Sequence, residues 1–137
     1  MRKHTTILIV IVALGIVAFM VYFAGAGGGQ GAKEAQGHLD AAISHAKEAV
    51  SHGGQGHPGE VSKHAKESIS HAQGAISSMP KGNSHGAEAV QHTEEAISHL
   101  REAVSHGDQG HADQATGHAK EGISHLSGAN NHAKEVH

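Results

Sequence analysis

The sequence predicts an all-α protein, an antiparallel up-down four-helix bundle that consists of two duplicated helical hairpins and is preceded by an apolar N-terminal helix. Three observations predict this fold. Most of the 16 histidines recur at intervals of seven residues, short glycine-rich segments interrupt sequences that favour helix, and a shift of 54 residues superimposes residues 38–75 on 92–129 with 23 identities in 38 positions. Such self-similarity indicates a repeated structural unit.

The first element is the uncharged run of residues 7–23, which follows a basic N-terminus. This order is typical of an export signal. The run is also just long enough for a membrane-spanning helix, so residues 1–26 are predicted to be a signal peptide or a membrane anchor, and any membrane contact would be through 7–23. Because a basic N-terminus stays in the cytoplasm, we expect the rest of the chain to lie outside the cytoplasmic membrane.

Residues 27–33 are rich in glycine and are predicted to be a flexible linker. The helical domain is predicted to occupy residues 34–137. In this domain apolar side chains lie one, four and five positions after a histidine, which forms one apolar stripe with the period of a helix. The stripe and its glycine-rich interruptions predict four helices over residues 33–52, 58–78, 84–106 and 111–135. Loops this short make consecutive helices antiparallel neighbours.

The composition excludes several classes of protein. The chain has no cysteine or tryptophan, and its only phenylalanine and tyrosine residues lie within the first 23 positions. These absences exclude a disulfide scaffold, a cysteine-based metal site and an aromatic nucleic-acid platform. The formal net charge of −3 argues further against a nucleic-acid partner. Near-identical repeats lack the distinct roles that a catalytic site needs, so we expect a protein that is not an enzyme. We also expect it to be a monomer.

The histidines flank the apolar stripe, where those of two antiparallel helices face each other. Folding the chain at residues 53–56 and 107–110 predicts seven inter-helix pairs: His38/His71, His45/His64, His52/His57, His85/His132, His92/His125, His99/His118 and His106/His111. A glutamate follows eight histidines by three residues, on the same helix face: Glu48, Glu60, Glu67, Glu88, Glu95, Glu102, Glu121 and Glu135. We therefore expect a carboxylate at every pair except His38/His71. The predicted metal ligands are the fourteen paired histidines with Glu48, Glu67, Glu102 and Glu121.

Imidazole and carboxylate ligands without thiolate suit Cu(II), Ni(II) and Zn(II), and Cu(II) binds most strongly in the Irving–Williams order. Several similar sites of moderate affinity predict a buffer, store or chaperone that holds multiple ions. The alternative is a non-metal, pH-responsive or structural helical interaction protein of the cell envelope, whose histidines become charged below about pH 6. Only the first hypothesis predicts that added Cu(II) raises the melting temperature at constant pH.

The repeated segments HAKEAVSHG, GHPGEVSKHAKESISHA, HLREAVSHG and GHADQATGHAKEGISHL resemble the small metal-binding protein family of ammonia-oxidising bacteria. The resemblance covers about residues 34–137. It implies a periplasmic helical bundle, made with a signal peptide, that binds several divalent ions with a preference for copper in metal homeostasis or storage. It also implies that the same fourteen histidines bind the ions. The long apolar run and the glycine-rich segment after it are interpreted as departures from the family pattern, which leaves a membrane-tethered form open.

Overall fold

The computed structural model describes residues 28–137, which form an up-down bundle of four helices. The helices are α1 (Gly28–Gly54), α2 (Pro58–Ser78), α3 (Ser84–Asp108) and α4 (Ala112–Lys134). Each helix packs against the next, and α1 also packs against α4, which confirms the predicted fold. No helix within 28–137 has the length and apolar character needed to cross a membrane. The predicted N-terminal signal or anchor lies outside the described residues.

Helix α1 begins at Gly28, so the prediction of a flexible linker over 27–33 was wrong for residues 28–33, while residue 27 lies outside the described residues. The reason is tertiary packing. Ala32 is buried, and Gly31 approaches the end of α2 so closely that a Cβ on it would lie 2.7 Å from the carbonyl oxygen of Ser78. Packing against α2 therefore outweighs the low intrinsic helix propensity of glycine.

The two hairpin loops share one backbone feature, a glycine with a positive φ angle. Gly56 and Gly110 have φ values of +73° and +82°, a left-handed conformation that glycine adopts without steric cost. Pro58 starts α2, where its missing N–H costs no hydrogen bond. Between the hairpins, the side chain of Asn83 caps α3 by accepting a hydrogen bond from the backbone N–H of Gly86. These short connections keep the helices of each hairpin side by side.

The core consists mainly of alanine, with few large side chains. Many positions one and four residues after a histidine carry a buried alanine. The largest fully buried side chains are Leu39, Leu100 and Leu126, each of which directly follows a histidine, and Val61 is the next largest. Half-buried isoleucine and valine side chains, such as Ile43 and Val50, follow five residues after a histidine. At 100° per residue the histidines and these β-branched residues lie on opposite edges of the core stripe. The histidines of α1 and α2 therefore share one face of the bundle, and those of α3 and α4 share another.

Polar contacts join the two hairpins at each of their seams. Between α2 and α3, Ser62 donates a hydrogen bond to Asp108, whose Oδ2 also lies 3.3 Å from Nζ of Lys66. The hydrogen bond from Ser62, with a smaller effect of Lys66, lowers the pKa of Asp108 below its ordinary value. Between α1 and α4, Asn130 donates a 2.7 Å hydrogen bond to Asp40. These contacts set the position of one hairpin against the other.

Candidate metal centre

All seven predicted histidine pairs are present, with ring centroids 5.8–6.1 Å apart. Three pairs join α1 to α2 and four join α3 to α4. The pairing arises because each loop lies midway between the two histidines that flank it. Counting seven residues away from the loop along either helix therefore reaches histidines that lie opposite each other. The geometric part of the sequence prediction is therefore confirmed, whereas metal binding by each histidine stays a prediction.

Neighbouring pairs also stack on each other, which the sequence analysis did not anticipate. Rings from successive pairs lie 5.1–5.4 Å apart and within 3–14° of parallel. Successive histidines on one helix are about 10.5 Å apart along the axis, and a ring from the partner helix fills the gap. The rings thus form two continuous stacks: the first column is His38, His71, His45, His64, His52 and His57, and the second column is His85, His132, His92, His125, His99, His118, His106 and His111.

Two glutamates complete a four-residue group in the first column. Glu48 on α1 and Glu67 on α2 each place Oε2 3.0–3.2 Å from the Nδ1 atoms of both His45 and His64. Each carboxylate therefore bridges the histidine of its own helix and the histidine of the partner helix. The result is a convergence of two imidazoles and two carboxylates, from two helices, on one small volume.

In the second column one glutamate bridges each of three pairs. Its Oε2 lies 2.9–3.0 Å from Nδ1 of the partner-helix histidine and 3.2–3.8 Å from Nδ1 of the histidine on its own helix. These glutamates are Glu88 at His85/His132, Glu95 at His92/His125 and Glu121 at His99/His118. Glu102 also reaches this last pair, with its Oε2 3.3 Å from Nε2 of His118.

Five groups in the described part of the chain bring three or more ligand atoms within 4.8 Å of one another. They are His45/Glu48/His64/Glu67, His52/Glu60/His64, His85/Glu88/His132, His92/Glu95/His125 and His99/His118/Glu121. The predicted ligands that belong to none of them are His38, His57, His71, His106, His111 and Glu102. Conversely, Glu60, Glu88 and Glu95 are in these groups although they were not among the four glutamates singled out, and their position three residues after a histidine was the available signal.

The expectation of a carboxylate at every pair except His38/His71 was wrong for His106/His111. The residues three positions after these histidines are Gln109 and Gln114, so neither histidine is followed by a glutamate at that spacing. His38 and His71 also lack a carboxylate, and their Nδ1 atoms lie 3.5 Å from each other. In the described part of the chain, neither of these two pairs belongs to a group of three or more ligand atoms.

The donor atoms fit a bound cation. The Nδ1 atoms of His52, His64, His92 and His106 are buried and have no hydrogen-bond partner. A buried nitrogen without a partner is costly, and a metal ion would satisfy each of these lone pairs. Nδ1 of His64 lies 3.0 Å from two carboxylate oxygens, but neither contact is a hydrogen bond, so the nitrogen remains available.

The charge state of one carboxylate is favourable for binding. The side chain of Gln91 donates a 3.2 Å hydrogen bond to Oε1 of Glu95. This bond is the main cause that lowers the pKa of Glu95, and the nearby His125 and His92 lower it further. The lowered pKa favours the carboxylate form of Glu95, and its Oε2 atom, which faces the two histidines, accepts no hydrogen bond from the glutamine.

Comparison with known proteins agrees with this site. The family model described as small metal-binding protein matches residues 1–129, whereas no curated protein matches the chain. The match begins at residue 1, so the apolar run and the glycine-rich segment are part of the family pattern, and interpreting them as departures was wrong. Together with the columns of histidine and glutamate, this match shows that the chain belongs to the small metal-binding protein family.

Proposed function

We propose that the protein is a periplasmic buffer or store for divalent transition-metal ions, which it holds between helices through histidine pairs and their bridging glutamates. The observation that carries the proposal is the group of His45, Glu48, His64 and Glu67, in which both carboxylates lie within 3.2 Å of both imidazoles. Each ligand group is complete within one chain, which supports a monomer as the binding unit.

Storage with release is favoured over permanent structural binding. Side chains of the paired histidines in contact with glutamate are 15–46% exposed, so ions and competing ligands reach them from solvent. Protons compete with metal ions for imidazole nitrogens, and acidification would therefore discharge the sites. Repeated sites of similar composition suit a capacity for several ions, whereas a catalytic centre needs residues in distinct roles. We accordingly propose a role without enzymatic activity.

Cu(II) is the proposed preferred ion, with Ni(II) and Zn(II) as further cargo. Nitrogen and oxygen ligands bind these borderline ions, and Cu(II) stands first in the Irving–Williams order. The periplasmic location is supported by the uncharged run of residues 7–23 after a basic N-terminus. Residues 1–26 would serve as a signal peptide or, if they are retained, as a membrane anchor.

The test is a titration of the purified full chain with Cu(II), Ni(II) and Zn(II). Bound equivalents are measured by equilibrium dialysis with metal analysis, and the melting temperature is followed by circular dichroism at constant pH. We expect several equivalents, with Cu(II) bound most tightly, and a melting temperature that rises with occupancy because the ions bind only the folded pairs.

A matched pair of variants controls for adventitious histidine binding. His137 is exposed and belongs to neither column, so His137→Ala should keep every equivalent. The double variant His45→Ala/His64→Ala should lose one. A wild-type protein that binds one ion or none, with no change in melting temperature, would contradict metal storage and support the alternative of a pH-responsive or structural helical protein.

A further inference from the structure

We propose that the two hairpins handle ions differently. In the first column His64 belongs to two overlapping ligand groups, so one ion occupies either of two positions there. In the second column each group has residues of its own, so three ions are held independently. This inference rests on the proposed function, because it treats the same histidines as metal ligands, and it deepens that function by assigning a shared ligand and a capacity.

The overlap is visible in the geometry around His64. It lies in the group with His45, Glu48 and Glu67 and also in the group with His52 and Glu60. Its ring stacks on that of His52 with centroids 5.1 Å apart and planes 6° from parallel. A neutral imidazole has one nitrogen lone pair, since its other nitrogen carries a proton. His64 therefore serves one ion at a time, and filling one position empties the other.

The second column contains the same ring geometry without the overlap. Under the repeat, His52 and His64 correspond to His106 and His118, whose rings are 5.3 Å apart and within 3° of parallel. Nδ1 of His106 is buried without a hydrogen-bond partner, as is that of His52. Glu60, however, corresponds to Gln114. A neutral amide is a weaker metal ligand than a carboxylate, so His118 remains committed to the group with His99 and Glu121.

Glu60 is available for this role. It lies in the first turn of α2, and its contact in the structure is Nζ of Lys63 at 3.6 Å, with both side chains about half exposed. An exposed ion pair of this kind contributes little free energy, so an ion at His52 and His64 displaces the lysine at small cost. The second position is thus at the loop end of the first hairpin, next to the position of His45, Glu48 and Glu67 with which it shares His64.

The test counts the Cu(II) equivalents that the full chain retains against a fixed excess of a competing chelator. The wild-type protein should retain four. Each position needs two imidazoles, as in the groups of the second column. His45→Ala should also retain four, because its ion then uses the imidazoles of His52 and His64 with Glu60. His99→Ala, the same change in the second repeat, should retain three. His64→Ala should also retain three, because it leaves one imidazole at each of the two positions of the first column. Helicity by circular dichroism checks that each variant is folded.

Reciprocal exchange at the one differing position isolates its effect. Adding Glu60→Gln to His45→Ala should reduce the retained ions from four to three, and adding Gln114→Glu to His99→Ala should raise them from three to four. A wild-type protein that retains five ions would show that His64 bridges two sites and would overturn the proposal. The proposal would also be overturned if His45→Ala lost one ion, as His99→Ala is expected to do. A wild-type protein that retains one ion or none would instead overturn the proposed function itself.

Discussion

The carboxylate of Glu121 on α4 lies closer to His99 on α3 than to the histidine of its own helix. Its Oε2 atom is 2.9 Å from Nδ1 of His99 and 3.2 Å from Nδ1 of His118. A glutamate three residues after a histidine therefore does more than form a local pair, because it reaches across the interface and bridges both imidazoles. Each bridging carboxylate is consequently a ligand candidate that couples two helices.

This geometry predicts unequal roles for the two glutamates near His118. Losing a residue that supports a metal ligand weakens metal binding by roughly 10–100-fold. Glu121→Gln should weaken Cu(II) binding at this site by more than that, because it removes a charged ligand itself. Among the described histidines Glu102 contacts His118, and it lies outside the ligand group, so Glu102→Gln should change affinity several-fold at most. Competition titrations with a calibrated chelator give both values, and an equal loss in the two variants would refute the distinction.

The alanine core predicts opposite effects for two alanine substitutions on α4. A Cβ on buried Gly122 would lie 2.9 Å from Cγ of Leu100, whereas one on exposed Gly117 would meet nothing within 4 Å. Gly117→Ala should raise the free energy of unfolding by about 0.5–1 kcal/mol because alanine favours helix. Gly122→Ala should lower it by about 1–3 kcal/mol because the added methyl group overpacks the core. Urea unfolding of the metal-free protein measures both, and stabilisation by Gly122→Ala would show that Leu100 can yield.

The contact between the hairpins predicts a pH-dependent contribution to stability. The hydrogen bond from Ser62 lowers the pKa of Asp108 in the folded state, so the unfolded state binds the proton more tightly. The contribution is present at pH values above the ordinary pKa of aspartate and is lost as the pH falls through the lowered one. Ser62→Ala should therefore be less stable than wild type at pH 6, and the difference should shrink below about pH 4. Urea unfolding of the metal-free protein at several pH values measures the difference, which should not depend on pH if Ser62 contributes through packing alone.

The histidine pairs could be predicted from the sequence because they depend on local quantities. A seven-residue step sets the helix face, and the centre of each loop sets which residues become opposite, as for His45 and His64. The stacking between pairs could not, since it depends on how far one helix is displaced along its neighbour. That displacement follows from the loop geometry at Gly56 and Gly110 and from close packing of alanines, neither of which has a signature in the histidine spacing.

The start of α1 shows the same limit. A segment rich in glycine is interpreted as a linker on composition alone, and only the contact of Gly31 with the end of α2 reveals why the helix continues through it. The proposed role of Glu60 depends on both the sequence and the structure. Its replacement by Gln114 was visible in the sequence, but its importance depended on knowing that His52 and His64 are adjacent.

The four-residue group in the first column predicts redundancy between its carboxylates. Glu48 and Glu67 each contact both His45 and His64, so losing either carboxylate leaves two imidazoles and one carboxylate, the same set as in each ligand group of the second column. In a Glu60→Gln background, which removes the overlapping position, Glu48→Gln and Glu67→Gln should each keep all four chelator-resistant Cu(II) ions. The variant with all three changes should keep three.

Glu95 offers the matched control for this redundancy, because one carboxylate serves His92 and His125. Glu95→Gln alone should therefore lose an ion under the chelator conditions in which Glu48→Gln loses none. The retained Cu(II) is measured by metal analysis after gel filtration, with far-ultraviolet circular dichroism to establish that the helices persist. Loss of an ion from Glu48→Gln or from Glu67→Gln would mean that both carboxylates are needed at once, and the first-column site would then be a four-ligand site with a stricter geometry than those of the second column.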